Sequence, residues 1–418
     1  MTAAIVTKIF LVFLFSKGIV ESWLDYKNKK YILKNRSAVP ARFADKISLV
    51  EHQKAADYSV TKINVGNFFH LFNFALLIFW TVGGGLNIID LWVKSFGRGE
   101  YTSTLLFIVA FGTLSFLLGL PESLYSTFVV EEKFGFNKTT AKTFIIDGLK
   151  GLLLGVVIGL PIIFGIIWIM NSLAGQWWLY AWAFLTIIQM ILLWAYPTLI
   201  APLFNKFSEL EEGDVKEKVL GLLERTGFTS KGLFVMNASI RSSHGNAYFT
   251  GFGKNKRIVF FDTLIKTLDA DEVEAVLAHE LGHFKKKHVL KGLVKAIVFS
   301  FIGFYILGKL DGWPPFYQGH GLASASNITT LILFSMVAGV YTFFMTPFSS
   351  YISRKYEFEA DEFAGQNSQA AKLITALVKL YKDNASTLTP DPVYSAFYHS
   401  HPPANIRVQF LEKLSKEK

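Results

Sequence analysis

The sequence predicts a mainly α-helical, multi-pass membrane protein, as composition and the spacing of apolar runs both indicate. Of its 418 residues, 51% are hydrophobic and only 18% are charged, which is more apolar than soluble globular domains and excludes a disordered chain. A helix needs about 20 apolar residues to cross a membrane. Five runs of about this length lack charged side chains: 68–89, 102–120, 151–170, 177–204 and 329–345.

Two further runs, 3–20 and 292–308, are apolar apart from lysines. Lys8, Lys17 and Lys295 can extend toward the headgroups or face a wet interior, so both runs are also predicted to span. A cleaved signal peptide is the alternative for the first run, but Lys8 interrupts its apolar stretch and no small-residue cleavage site follows. We therefore expect seven transmembrane helices.

Lysine and arginine alternate along the connections as membrane topology requires. There are nine in 21–65, fifteen in 205–295 and nine from 353 onward, but only one in 309–328. The positive-inside rule then places the N-terminus outside, and the loop 205–291 and the C-terminus in the cytoplasm. Because the basic residues follow membrane sidedness, the net charge of +10 does not indicate nucleic-acid binding.

One motif inside 205–291 is typical of metal chemistry. His279 and His283 lie four residues apart in His-Glu-Leu-Gly-His, and apolar residues at helical spacing before them predict a helix. Two imidazoles on one helix face can bind a single ion, and Glu280 can activate the water at its open position. The alternative is a pair of solvated histidines, but unpaired polar groups in an apolar helix would be costly to desolvate.

A catalytic zinc ion takes three protein ligands, and because the chain lacks cysteine the third must be a carboxylate or another histidine. Glu357 follows the last span in a predicted helix. If Glu357 binds the ion, Asp361 can accept the second N–H of a ligating histidine. Glu359 and Glu362 compete for the ligand role, and a solvated acidic helix is the simpler alternative.

The constellation indicates metal-dependent hydrolysis of peptide bonds. In the tail, His401 and Arg407 are candidates to stabilise negative charge on the carbonyl oxygen of the substrate, although an ordinary surface histidine is the simpler interpretation. We expect four segments: 1–204 with transmembrane helices 1 to 5, 205–291 as the cytoplasmic catalytic domain, 292–352 with helices 6 and 7, and 353–418 as a cytoplasmic segment with the third ligand.

Together these residues resemble the type 1 CAAX prenyl proteases, integral-membrane zinc metalloproteases of peptidase family M48. The resemblance covers nearly the whole chain and includes three further stretches, 128–138, 196–206 and 241–249. The related bacterial HtpX proteases are shorter and lack the long N-terminal half. The resemblance implies a barrel of seven long helices that encloses an intramembrane chamber, with a zincin-like domain capping its cytoplasmic side.

The resemblance also implies roles for individual residues. Glu357, rather than Glu359, would be the third ligand of one zinc ion per chain. Asp361 would correspond to the aspartate that follows this glutamate in the family motif. Asn246 would hold the substrate backbone, beside an edge strand at 246–249 and its neighbour at 258–261.

His401 and Arg407 would act on the substrate or the transition state. One departure is Asn405-Ile406 before Arg407, where similar sequences more often carry a glutamate, and this leaves the ion pairing of Arg407 open.

The expected function is removal of C-terminal residues from prenylated peptides or proteins by a monomer in the bilayer, with the active site on the cytoplasmic side. The membrane would be the endoplasmic reticulum in a eukaryote or the inner membrane in a bacterium. One alternative is a quality-control protease that acts on misfolded or translocation-stalled proteins without a prenyl requirement. A transporter with a structural metal is disfavoured, because structural zinc sites are usually closed by four protein ligands.

Overall fold

The computed structural model describes residues 1–173, 175–250 and 256–416. Within these residues, seven helical segments are long and apolar enough to cross a membrane, which confirms the predicted number. The two lysine-containing runs are among them. The segments are Ala3–Asn35, Leu49–Trp80, Glu100–Glu131, Ala141–Ser172, Trp177–Phe204, His288–Leu310 and Asn327–Asn367.

The first two spans are single α-helices, whereas the next three are built from several helical pieces. Each of these three contains a π-helical stretch, at Ser126–Glu131, Gly155–Gly159 and Tyr196–Ile200. The α-helices are α1 (Ala3–Asn35), α2 (Leu49–Trp80), α3 (Gly85–Lys94), α4 (Glu100–Tyr125), α5 (Ala141–Leu154), α6 (Leu160–Ser172), α7 (Trp177–Ala195) and α8 (Ala201–Phe204).

The apolar run 68–89 is not one helix, so the predicted C-terminal end of this span was wrong. The helix α2 ends at Trp80, where the Thr81 hydroxyl donates to the Leu77 carbonyl at 2.6 Å. Gly84 then adopts a φ of +79°, a left-handed conformation that glycine adopts without strain, before α3 begins. The break escapes an apolar-run analysis because the turn residues are themselves uncharged.

The spanning helices bury few of their own residues. In the first five segments only 11–17% of the most apolar window is buried, and in His288–Leu310 the value is 0%. A layer of helices that face lipid has such low burial, and the seventh segment, Asn327–Asn367, is more buried, at 39%. Polar contacts join helices within this layer, for example the Asn73 amide, which donates to Glu122 at 3.4 Å.

The segment after the fifth span contains a four-stranded sheet and the helix that carries the histidine motif. The strand order is β1-β2-β4-β3, with β2 and β4 parallel and the other pairs antiparallel. The predicted strand at 258–261 pairs with 247–250, which lies at the sheet edge as expected. The elements are β1 (Phe207–Glu209), α9 (Asp214–Arg225), β2 (Gly232–Met236), β3 (Ala247–Thr250), β4 (Arg257–Phe261), α10 (Asp262–Thr267) and α11 (Ala270–Lys285).

The C-terminal part returns to the membrane and then packs on this sheet domain. Its helices are α12 (His288–Leu310), α13 (Pro314–Gly319), α14 (Asn327–Thr342), α15 (Thr346–Asn367), α16 (Ala370–Asp383), α17 (Pro392–Tyr398) and α18 (Ala404–Lys416). Side chains from both extramembrane segments form one hydrophobic core, in which the sheet, α9 and α11 meet α16 and α18. Its members include Leu222, Ile258, Phe260, Leu277, Leu281, Leu373, Val408 and Leu411.

A glycine brings α11 close to α15. A Cβ atom built at Gly282 would lie 2.9 Å from the Cα atom and 3.0 Å from the carbonyl oxygen of Ala360. Both are backbone atoms that cannot rotate away, so only glycine permits this separation of the helices. The N-terminus of α11 is fixed by a capping box, in which the Asp269 side chain accepts from Glu272 N and the Glu272 side chain accepts from Asp269 N.

We predict that Gly282→Ala destabilises the protein, because the added methyl group would force α11 and α15 apart. Overpacking of this kind costs about 1–3 kcal/mol, or roughly 2–4 °C in Tm for each kcal/mol. Gly292→Ala on α12 is the matched control, since a Cβ there meets no atom within 4 Å. The measurement is thermal unfolding of both variants in detergent, and equal Tm values would contradict the packing argument.

Candidate metal centre and active site

The close approach of α11 and α15 brings His279, His283 and Glu357 together. The His279 Nε2 and His283 Nε2 atoms are 3.2 Å apart. The Glu357 carboxylate lies 3.5 Å from His279 Nε2 through Oε2 and 3.3 Å from His283 Nε2 through Oε1. His279 and Glu357 are buried, and His283 is partly buried. One ligand atom from each residue therefore points to a common centre.

These three side chains fit a tetrahedral metal ion. Bonds of about 2.0–2.1 Å to a tetrahedral ion separate the ligand atoms by about 3.3 Å. The two Nε2 atoms are 3.2 Å apart, and each lies 3.3–3.5 Å from one of the two Glu357 oxygens. Moreover, Glu357 Oε2 is buried and, among the described residues, has only long contacts, with His279 Nε2 at 3.5 Å and Arg407 Nη1 at 3.6 Å. A buried carboxylate oxygen is stabilised by closer contact with a cation, which a metal ion at this centre would supply.

Asp361 fixes the orientation of His279. Its Oδ1 atom lies 2.8 Å from His279 Nδ1, so the imidazole donates through Nδ1 and keeps the Nε2 lone pair free for a metal. Burial and the Arg407 charge act to lower the pKa of His279, but hydrogen bonds to Asp361 and Glu357 outweigh them and raise the pKa to about 9. A metal ion that binds at neutral pH must therefore displace a proton from this imidazole.

Arg407 lies behind the metal centre, where it is almost fully buried. Its guanidinium donates to both oxygens of Asp361, from Nε at 2.9 Å and from Nη2 at 2.8 Å. Burial acts to lower the pKa of Arg407, but the Asp361 carboxylate outweighs it and keeps the guanidinium charged. The sequence left the ion-pair partner of Arg407 open, because no glutamate precedes it. The structure shows that this partner is Asp361 on α15, whereas Asn405 accepts a hydrogen bond from Arg42.

The structure separates the competing acidic residues on α15. Glu359 Oε2 lies 3.0 Å from His288 Nε2, and Glu362 accepts only a long contact of 3.5 Å from Gln366. His288 was not singled out by the sequence reasoning. The signal that could have found it is a third histidine five residues after His283.

Glu280 lines a cavity of about 280 Å³ next to the metal centre. It has no hydrogen-bond or ion-pair partner among the residues that the structure describes. The cavity also borders Asn246, His279, His401 and Arg407, so five of the predicted site residues face one space. Apolar side chains form much of the remaining wall: Leu264, Val276, Leu373, Leu377 and Leu380.

Asn246 and His401 lie at the mouth of this cavity. His401 is exposed, and its Nε2 atom lies 3.4 Å from Glu357 Oε1. Asn246 precedes β3, and its backbone carbonyl accepts from Phe261 N at 2.9 Å. Hydrogen bonds alternate sides along an antiparallel strand, so the backbone groups of Ala247 and Phe249 face the open edge of the sheet. The Asn246 side chain accepts from Ala247 N at 2.8 Å and thus occupies the first of these groups.

Comparisons with known proteins cover nearly the whole chain. Residues 28–206 match the family model described as CAAX prenyl protease N-terminal, five membrane helices, and residues 209–415 match peptidase family M48. The CAAX prenyl protease 1 homolog of Arabidopsis thaliana is 35% identical over 96% of both chains. CAAX prenyl protease 1 of Saccharomyces cerevisiae is 34% identical over 95% of this chain and 93% of its own.

The fold is similar to a solved structure. The crystal structure of S. mikatae Ste24p superimposes with a TM-score of 0.89 at 32% identity, covering 97% of this chain and 98% of that one. Similarity of this extent covers the membrane helices as well as the sheet domain. The chain therefore belongs to the CAAX prenyl protease 1 family, the multi-pass membrane metalloproteases of peptidase family M48.

Proposed function

We propose that this metalloprotease removes C-terminal residues from prenylated, CAAX-type peptides or proteins. The proposed cofactor is one zinc ion per chain, held by His279, His283 and Glu357, because two imidazoles and one carboxylate are typical ligands of catalytic zinc. The relatives named CAAX prenyl protease 1 support the substrate class. The observation that carries the proposal is the free carboxylate of Glu280, which lines the same cavity as the ligand His279.

The proposed reaction divides the work between the ion and the side chains. Held by His279, His283 and Glu357, a zinc ion would supply Lewis acidity to the scissile carbonyl and would make water more acidic. Glu280 takes a proton from the attacking water and returns it to the leaving amine. His401, at the cavity mouth, donates a hydrogen bond to the oxygen on which negative charge develops.

The substrate is proposed to bind as an added strand. An extended peptide pairs with the open edge of β3 through the Ala247 carbonyl and the backbone of Phe249, a mode that requires little side-chain specificity. The Asn246 amide nitrogen has no partner among the described residues and is available to the peptide carbonyl. This arrangement leads the chain across the cavity toward Glu280.

Arg407 and Asp361 are proposed to position the ligands. Arg407 is only 6% exposed and donates twice to Asp361, which supports a positioning role. It also borders the peptide cavity, so its expected action on the substrate or transition state stays a prediction. The lysine and arginine distribution supports an active site on the cytoplasmic side of the membrane. We propose that the protein acts as a monomer.

We predict that Glu280→Gln leaves zinc bound but lowers kcat for peptide cleavage by about 10²- to 10⁴-fold, the usual contribution of a general base. The glutamine keeps the size of the side chain but cannot accept the proton of water. The measurements are the zinc content of purified protein by mass spectrometry and cleavage of a quenched fluorescent peptide.

Glu362→Gln is the matched control for Glu280→Gln, because it makes the same change of charge on α15 away from the cavity. It should retain both zinc and activity. Undiminished cleavage by Glu280→Gln would show that the proposed base is wrong, whereas loss of zinc would show that Glu280 has a structural role at the centre.

We predict that a farnesylated peptide is cleaved with a kcat/KM at least about tenfold above that of the same peptide without the lipid. Burial of only two methylene groups contributes about 1.6 kcal/mol, and every 1.4 kcal/mol is a factor of ten. The measurement compares the two peptides on detergent-purified protein.

Equal kcat/KM values for the two peptides would contradict the prenyl-specific proposal. The open edge of β3 would then favour the second candidate function, quality control of misfolded or translocation-stalled proteins by the same chemistry. Prior loading of the enzyme with zinc keeps this comparison independent of metal affinity.

A further inference from the structure

We infer that His288 and Glu359 form a hydrogen-bonded relay that holds His283 in the tautomer and orientation required to bind metal. Neither residue belongs to the proposed ligand set, and neither lines the peptide cavity. The inference rests on the proposed metal site and adds two positioning residues to it. Their position is defined by contacts between the start of α12 and the middle of α15.

The direction of each hydrogen bond follows from the chemistry of its partners. Glu359 is a carboxylate and can only accept, so His288 Nε2, at 3.0 Å from Glu359 Oε2, carries the hydrogen. In a neutral imidazole the other nitrogen is then an acceptor. His288 Nδ1 lies 3.0 Å from His283 Nδ1, so His283 donates through Nδ1. The lone pair of His283 is left on Nε2, the atom that faces Glu357 and His279.

The backbone and the packing hold His288 in this position. Lys287 adopts a left-handed φ of 59° between α11 and α12, and this turn brings the side chain of His288 back to His283. The ring of Tyr356 stacks on the ring of His288, with centroids 4.1 Å apart and planes within 9°. His288 is only 6% exposed, so its two hydrogen bonds are shielded from competing water.

With the relay, both histidine ligands have the same tautomer, although different residues accept their Nδ1 hydrogen bonds. His279 donates directly to the Asp361 carboxylate, whereas His283 reaches the Glu359 carboxylate through a second imidazole. In each case an acceptor fixes the Nδ1–H tautomer and directs Nε2 to the metal. Partners of this kind typically change metal affinity by 10- to 100-fold when they are removed.

The test compares two substitutions of His288 that differ in one property. Asparagine at this position retains an acceptor oxygen close to where Nδ1 lies, and phenylalanine retains the ring that stacks on Tyr356 but has no acceptor. The zinc dissociation constant of each purified full-length variant is measured by chelator competition, together with its Tm. Glu359→Gln is added, because its amide oxygen still accepts from His288 but the charge is lost.

We expect His288→Phe to weaken zinc binding by about 10- to 100-fold. His288→Asn should recover most of this loss, and Glu359→Gln should show a smaller loss than His288→Phe. With zinc in excess, the KM for peptide should equal that of the unsubstituted protein, because neither residue contacts the peptide cavity. Glu362→Gln, with the same charge change on α15, should bind zinc as the unsubstituted protein does.

Four outcomes would overturn the inference or its basis. A zinc affinity for His288→Phe equal to that of the unsubstituted protein would refute the relay, and so would equal losses in His288→Phe and His288→Asn with matching falls in Tm. Two zinc ions per chain, one of them lost in His288→Phe, would make His288 a ligand instead. If the unsubstituted protein binds no zinc, the proposed metal site fails, and the relay fails with it.

Discussion

The active site depends on a buried ion pair between the tail of the chain and the last long helix. Arg407 on α18 donates twice to Asp361 on α15, and Asp361 in turn accepts from His279 on α11. Three helices are thus joined through one carboxylate. Arg407 also offsets the second buried carboxylate, Glu357, from 3.6 Å away. Removal of one partner from a buried pair typically costs 3–5 kcal/mol, so the ligand geometry and the fold of the tail are stabilised together.

Features encoded locally in the sequence could be predicted well. A membrane span must satisfy its backbone hydrogen bonds internally and be apolar along its length. Apolar runs therefore identified the seven helical segments of the described residues that can cross a membrane. The pair His279 and His283 is equally local, because one turn of helix sets their separation. The break at Thr81–Gly84 was missed because apolar residues continue through it, and only the left-handed Gly84 and the Thr81 hydroxyl mark the turn.

Features that depend on distant residues could not be predicted from composition or spacing. Several acidic residues on α15 had the right chemistry for a third ligand, and the resemblance was needed to favour Glu357 over Glu359. The rotation of α15 relative to α11 decides between them, and this rotation depends on the contact of Gly282 with Ala360. The partner of Arg407 and the contact of His288 with Glu359 have the same origin, since each joins residues that are 46 to 71 positions apart.

The structure combines sparsely buried spanning helices with a densely packed metal centre beside a small sheet. In the proposed function, two histidines of α11 and one glutamate of α15 hold a single zinc ion. X-ray absorption at the zinc edge of the purified protein tests this claim most directly. We expect one zinc per chain with four nitrogen or oxygen neighbours at about 2.0–2.1 Å, including the scattering pattern of two imidazoles. A six-coordinate shell of oxygen without imidazole scattering would contradict the claim.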